Sequence, residues 1–193
     1  MFKRLALILI SLLAVAAIVA ALFWRPDAGG APAGGDFALE SADGRVDTAS
    51  LRGDVVLIYF GYTYCPDICP TTLVAVGQAL KQLAPAELAR VKTLFVSVDP
   101  ARDAPQRLKD YAIFFHPSIV GVTGSPDQVA KAARLYGAVY ARHDVDDKGN
   151  YVVDHSAWLY LLAPDGHLGA RLPYGSTPDR MLAEIRKWLS SSS

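Results

Sequence analysis

The chain has 193 residues, with 19 Lys and Arg against 19 Asp and Glu, so its formal net charge is zero. That balance excludes binding through a dense basic surface, and no nucleic-acid partner is expected. Two cysteines in a chain long enough to build its own core exclude a disulfide-stapled mini-protein.

Residues 1–4 form a short basic stub, and Leu5 to Trp24 is apolar apart from Ser11. At 1.5 Å per residue those twenty residues reach about 30 Å, the thickness of a bilayer's hydrocarbon core. Lys3 and Arg4 place the stub in the cytoplasm by the positive-inside bias, and Trp24 suits the far interface. The rival is a cleaved signal peptide with Ala14-Val15-Ala16 as its small-residue site. The apolar run continues past that site, so an uncleaved transmembrane anchor over 5–24 is expected. Both readings export the rest of the chain, and the anchored one makes it a single-pass inner-membrane protein with a periplasmic domain. Disulfides persist in that compartment.

Residues 25–36, rich in Gly, Ala and Pro, read as a flexible linker ahead of one domain over 37–193. A strand-turn pattern around Asp43-Gly44 leads to Val55-Val56-Leu57-Ile58-Tyr59-Phe60, a continuous apolar run expected of a strand buried on both faces. A loop with both cysteines precedes a helix over 71–83, and Val91 to Val98 is a second strand. Asp99-Pro100 reads as its exit, and Asp103 as the cap of a helix reaching Phe115, so neither is assigned chemistry. Ile119 to Val122 is a short strand, and Ser125-Pro126-Asp127-Gln128 opens the next helix with capping-box spacing. Beyond Gly137, residues 139–142 and 151–153 suggest a hairpin excursion. Ala157 to Leu162 and His167 to Leu172, joined by Pro164-Asp165-Gly166, form a strand-turn-strand, with Trp158, Tyr160 and Leu162 as core. A last helix runs from Thr177-Pro178-Asp179 to about Leu189. Early parallel crossovers and a late antiparallel hairpin predict an α/β fold, thioredoxin-like, with a mixed sheet flanked by helices.

The most informative stretch is Gly61-Tyr62-Thr63-Tyr64-Cys65-Pro66-Asp67-Ile68-Cys69-Pro70-Thr71-Thr72, between a buried strand and a helix. Cysteines four apart on a turn or helix can face the same side. A helix amino terminus favours thiolate, and Cα atoms one turn apart lie within disulfide range. The pair can therefore clamp a metal or form a reversible disulfide. Of four histidines, His155 is the best third ligand, with a satisfied loop histidine as the alternative. His116, His143 and His167 read as surface or loop residues. A Cys₂His set is soft and low in coordination number, which suits copper, Cu(I) above all. Asp154 could hold the imidazole or approach oxidised copper, Cu(II), as a weak accessory. Tyr62 and Tyr64 either line the site or face a partner.

These residues resemble the Sco/SenC copper proteins, membrane-anchored thioredoxin-like assembly factors for cytochrome c oxidase. The likeness covers about Phe37 to Leu189. It is carried by the cysteine stretch, by Ser97-Val98-Asp99-Pro100-Ala101-Arg102-Asp103 and by Val153-Asp154-His155-Ser156, in the family's order. The resemblance implies copper ligation by Cys65, Cys69 and His155, with Asp154 accessory. It also implies delivery of copper to the binuclear copper site of oxidase subunit II, or reduction of that site's cysteines, and a separate copper donor. The alternative is a thiol–disulfide oxidoreductase carrying no metal, with Cys65 and Cys69 as its redox pair. Cys-x₃-Cys departs from the Cys-x₂-Cys usual for redox pairs of this fold. A peroxidase would need only one low-pKa cysteine, and nothing in the sequence demands it.

Overall fold

The computed structural model describes residues 34–190. The expected stub, the anchor over 5–24 and residues 25–33 of the linker lie outside the described residues. Among those described, no helix is long and apolar enough to cross a membrane.

The chain enters through an antiparallel pair, β1 (Ala38–Ser41) and β2 (Gly44–Asp47), and a 3₁₀ turn over Thr48–Leu51. The order is then β3 (Val55–Gly61), α1 (Ile68–Lys81), α2 (Pro85–Ala89), β4 (Val91–Ser97), α3 (Pro105–Phe115), β5 (Ile119–Val122) and α4 (Pro126–Tyr136). It ends with β6 (Tyr140–Arg142), β7 (Val153–His155), β8 (Leu159–Leu162), β9 (Leu168–Leu172) and α5 (Pro178–Ser190).

Five strands form the central sheet in the order β5-β4-β3-β8-β9. β3 pairs parallel with β4 and antiparallel with β8, so the sheet is mixed, as the order of patterns predicts. All seven residues of β3 are buried, which is why its sequence shows no polar alternation. Neighbouring side chains still point to opposite faces. Tyr59 stacks on Phe95, which meets Tyr111 of α3, while Phe60 meets Tyr136 of α4. Both faces of the sheet are therefore covered, with α1, α3 and α5 packed together on the Tyr59 side. Each fully buried aromatic contributes about 1.5–3 kcal/mol over its exposed form.

Several local signals act as read. Ser125 and Gln128 close a reciprocal capping box on α4, and Gly137 ends that helix at φ 63°. Residues 140–142 and 153–155 pair as a separate two-stranded sheet, with no ladder to the central one.

Other expectations are corrected. α1 starts at Ile68 rather than Thr71, so Cys69 sits in its first turn. α2 has no counterpart among the expected elements because five residues give little periodicity; Pro85 and the Glu87 carboxylate, which accepts from Ala84 N–H, mark its start. Asp103 is not the cap of α3: Ala104 occupies that position and offers no side-chain bond. Trp158 is 40% exposed, not core, because it precedes β8 and lies beneath the Arg171 guanidinium. His116 is buried, not on the surface; its Nδ1 lies 2.8 Å from Ser118 Oγ, and desolvation pushes its pKa down.

Candidate metal centre

The end of β3 and the start of α1 fix the two sulfurs by different means. Gly61 ends β3, and a Cβ there would come within 2.5 Å of Cys69 Sγ and 2.8 Å of the Phe95 ring. The missing side chain is the space the Cys69 sulfur occupies, and Cys69 is wholly buried. Cys65 lies before the helix, with Pro66 and Asp67 turning the chain into α1. Asp67 stands at the N-cap but makes no side-chain cap bond. Cys65 Sγ takes that role instead, accepting from Cys69 N–H at 3.4 Å, and the unpaired amides of a first turn favour an anion there.

The two thiols diverge in acidity for stated reasons. A hydrogen bond from the Cys69 thiol holds Cys65 down, to about 4; His155 and the amides of Asp67 and Cys69 add to it against the opposing effect of burial. Burial, then the Cys65 thiolate beside it, pushes Cys69 up. Of the pair, Cys65 is the sulfur that ionises first and Cys69 the one that keeps its proton. Burial, and then the same sulfurs, raises the pKa of Tyr59.

His155 is the last residue of β7, on the outlying hairpin, not in a loop. Its Nε2 lies 3.2 Å from Cys69 Sγ, and its Nδ1 lies 3.2 Å from the Ser156 carbonyl oxygen. A carbonyl only accepts, so Nδ1 is the nitrogen that donates to Ser156, and Nε2 is the nitrogen turned toward the sulfurs. Tyr62 and Tyr59 meet the ring edge-on at centroid distances of 5.8 and 6.2 Å. Cys65 Sγ, Cys69 Sγ and His155 Nε2 all lie within 4.8 Å of one another, at a cleft between the cysteine loop and β7. Two sulfurs and one imidazole nitrogen form a soft, three-donor set, suited to a thiophilic ion of low coordination number.

Asp154 stands apart from this cluster. Its carboxylate is exposed and pairs with His143 Nε2 at 2.6 Å, and the Ser156 carbonyl holds the imidazole in its place. Tyr62 is buried and lines the site, whereas Tyr64 is half-exposed at its rim.

Asp103, read from sequence as a cap, is fully buried and braces the cysteine loop. It accepts from Thr63 N–H at 2.9 Å, Thr63 Oγ1–H at 2.6 Å and Ser97 Oγ–H at 2.6 Å. Its available signal was Ser97 at the end of an apolar strand and Thr63 beside the cysteines, both polar residues in buried surroundings.

The sequence model of the SCO1/SenC family matches residues 25–190. Protein SCO1 homolog 1, mitochondrial, of Arabidopsis thaliana is 38% identical over 168 residues, covering 84% of this chain and 50% of its own. Protein SCO2 homolog, mitochondrial, of Bos taurus is 46% identical over 134 residues, covering 68% of this chain and 50% of its own. The chain thus spans about half the length of these curated relatives. Among solved structures, Bradyrhizobium japonicum ScoI with copper bound superimposes with a TM-score of 0.74 at 36% identity, covering 81% of this chain and 99% of that one.

Proposed function

Because the chain belongs to the SCO1/SenC family, we propose that it binds copper through Cys65, Cys69 and His155 and passes it to the binuclear copper site of cytochrome c oxidase subunit II. The observation that carries this reading is the convergence of His155 Nε2 with Cys69 Sγ at 3.2 Å, in a cluster that includes Cys65 Sγ. The copper-bound ScoI structure supports copper as the ion, and the soft donor set favours Cu(I) with Cu(II) as a second loaded state. Copper is here cargo: a partner's thiolates displace this chain's ligands one at a time, so the ion is never without donors. A separate donor protein loads the site. Residues 5–24 anchor the domain to the inner membrane and residues 25–36 space it, so that 37–193 works on the periplasmic side. Asp154 is an accessory only if its contact with His143 opens.

The test is copper titration followed by absorption spectroscopy. Wild type takes up one equivalent tightly, and a Cys65→Ser, Cys69→Ser variant does not. Equal uptake by both would sink the reading. Fractionation followed by intact mass tests the anchor: recovery of a clipped, soluble chain from cells would overturn it.

The divergent thiols favour a second reading, reduction of a partner's disulfide. The Cys65 thiolate attacks one sulfur of that disulfide, forming a mixed disulfide and releasing a partner thiolate. Cys69 then attacks Cys65 Sγ, its proton passing to the second leaving thiolate. The first leaving thiolate takes its proton from solvent, so the partner leaves as a dithiol and this chain as the Cys65–Cys69 disulfide. Trapping of the mixed disulfide by Cys69→Ser, with unchanged cellular function in His155→Ala, would favour this role over copper transfer.

A further inference from the structure

Arg102 follows β4 in the turn after Asp99, and its guanidinium lies among three tyrosines. The guanidinium carbon is 3.6 Å from the centroid of the Tyr151 ring, 4.7 Å from that of Tyr64 and 5.6 Å from that of Tyr62. Nε pairs with the Asp99 carboxylate, and Nη1 donates to the Tyr151 carbonyl at 2.9 Å. The Tyr151 hydroxyl donates to the other Asp99 oxygen at 2.7 Å. Tyr151 is therefore gripped at its ring, its carbonyl and its hydroxyl. Two residues further on, Val153 N–H donates to the Tyr62 hydroxyl at 3.3 Å. Two residues beyond that is His155.

The hairpin that carries His155 has no ladder to the central sheet. Beside the buried Val153 and the Tyr59 ring, the contacts through Arg102, Asp99 and Tyr62 tie the approach to His155 to the strand ends that hold the cysteine loop. Stability is a poor account of this arrangement. Arg102 Nη2 is buried without an acceptor, and desolvation of the guanidinium offsets part of what its rings and Asp99 contribute, so an apolar residue there can match it in stability. A planar fork that can stack and bridge two oxygens at once is, by contrast, well suited to fixing a geometry.

We propose that Arg102 is the positioning residue of the metal centre: by clasping Tyr151 against Asp99 it holds the hairpin so that His155 meets the two sulfurs, and loosening this clasp turns a three-ligand site into a two-sulfur one. The proposal rests on the copper reading above and adds how the third ligand is kept or withdrawn. Arg102 touches no ligand atom; its effect on His155 runs through the hairpin, while its contacts with Tyr62 and Tyr64 also reach the cysteine loop.

The test is a double-mutant cycle between Arg102→Met and His155→Ala in the whole chain, read by competition for Cu(I) with a chelator. Arg102→Met is expected to weaken Cu(I) binding about 10- to 100-fold, the range for residues that orient a ligand. It also removes the imidazole nitrogen signature from the spectrum of the Cu(II)-loaded protein. In the His155→Ala background the same substitution costs at least tenfold less. Arg102→Lys, which keeps the charge but not the fork, falls between wild type and Arg102→Met. In the metal-free protein, amide exchange rises over residues 140–155 in Arg102→Met while β3 and β4 stay protected. Should Arg102→Met fail to fold, Arg102→Lys and Tyr151→Phe, which removes only a hydroxyl, carry the same measurements.

Wild-type affinity and nitrogen signature in the folded variants would overturn the proposal. So would an equal loss of affinity with and without His155. If His155→Ala itself leaves affinity and spectrum unchanged, the copper reading has failed, and this proposal with it. If His155→Ala matters and Arg102→Met does not, only this proposal has failed.

Discussion

The imidazole of His155 and the thiol of Cys69, 86 residues apart in sequence, lie 3.2 Å from each other. They come from different structural units: Cys69 from the first turn of a core helix, His155 from a hairpin outside the main sheet. In the proposed site a core element and an outlying one share the grip on a single ion, so their substitutions should separate affinity from stability.

His155→Ala is expected to lower Cu(I) affinity on the order of 100-fold, at least the loss seen for residues that merely orient ligands. The metal-free protein should keep its unfolding free energy within the change usual for a partly exposed residue, about 0.5 kcal/mol. Chelator competition and urea denaturation check the two halves.

The two thiols should differ sharply toward alkylating agents. Cys65, held at about 4, reacts as thiolate throughout the neutral range and slows only as pH falls through about 4. Cys69, pushed up by burial, stays slow. Mass spectrometry after brief iodoacetamide exposure at pH 6 should find the label on Cys65.

The same shifts set a pH dependence of stability. The unfolded thiol ionises near 9.0 and the folded Cys65 near 4, so Cys65 stabilises the fold increasingly from pH 4 to 9 and fully above that. This contribution is lost as pH falls through the folded value. Cys69 acts oppositely: its contribution is full below about 9.0 and declines above it, where the unfolded thiol ionises and the buried one does not. Urea denaturation of the reduced, metal-free protein between pH 4.5 and 9 should show a slope that Cys65→Ser lacks.

Asp103→Ala leaves three donors, Thr63 N–H, Thr63 Oγ1–H and Ser97 Oγ–H, without their acceptor in a buried setting. A loss of roughly 3 kcal/mol is expected in chemical denaturation. Asp103→Asn, which retains an acceptor oxygen, should lose less, and both should weaken copper binding because Thr63 lies two residues from Cys65.

Gly61→Ala puts a methyl group where the Cys69 sulfur and the Phe95 ring sit. Overpacking of this kind costs about 1–3 kcal/mol. Thermal denaturation should register that cost, and copper titration a weaker site, since the sulfur must move to make room.

Much of this was legible in the sequence where local chemistry and global structure agree. The buried run of β3, the Ser125 capping box and the Gly137 stop report themselves because each is a local pattern. The cysteine pair was legible from its spacing and its place between strand and helix. Residue patterns alone left His155 level with an ordinary loop histidine, because its position depends on how a hairpin docks, which no short window encodes. Asp103 misled for a specific reason: Asp-Ala-Pro-Gln matches a helix start, while the carboxylate bonds to Thr63 and Ser97 across the loop. Trp158 misled because an aromatic next to a buried strand looks like part of it.

Cys69 has no exposed surface, whereas Cys65 retains 8% and His155 is only partly covered. In the proposed handover an incoming protein reaches the ion only from the outer side, so its first sulfur displaces Cys65 or His155 and the bond to Cys69 breaks last. On that reading burial alone gives the transfer an order and a doorway.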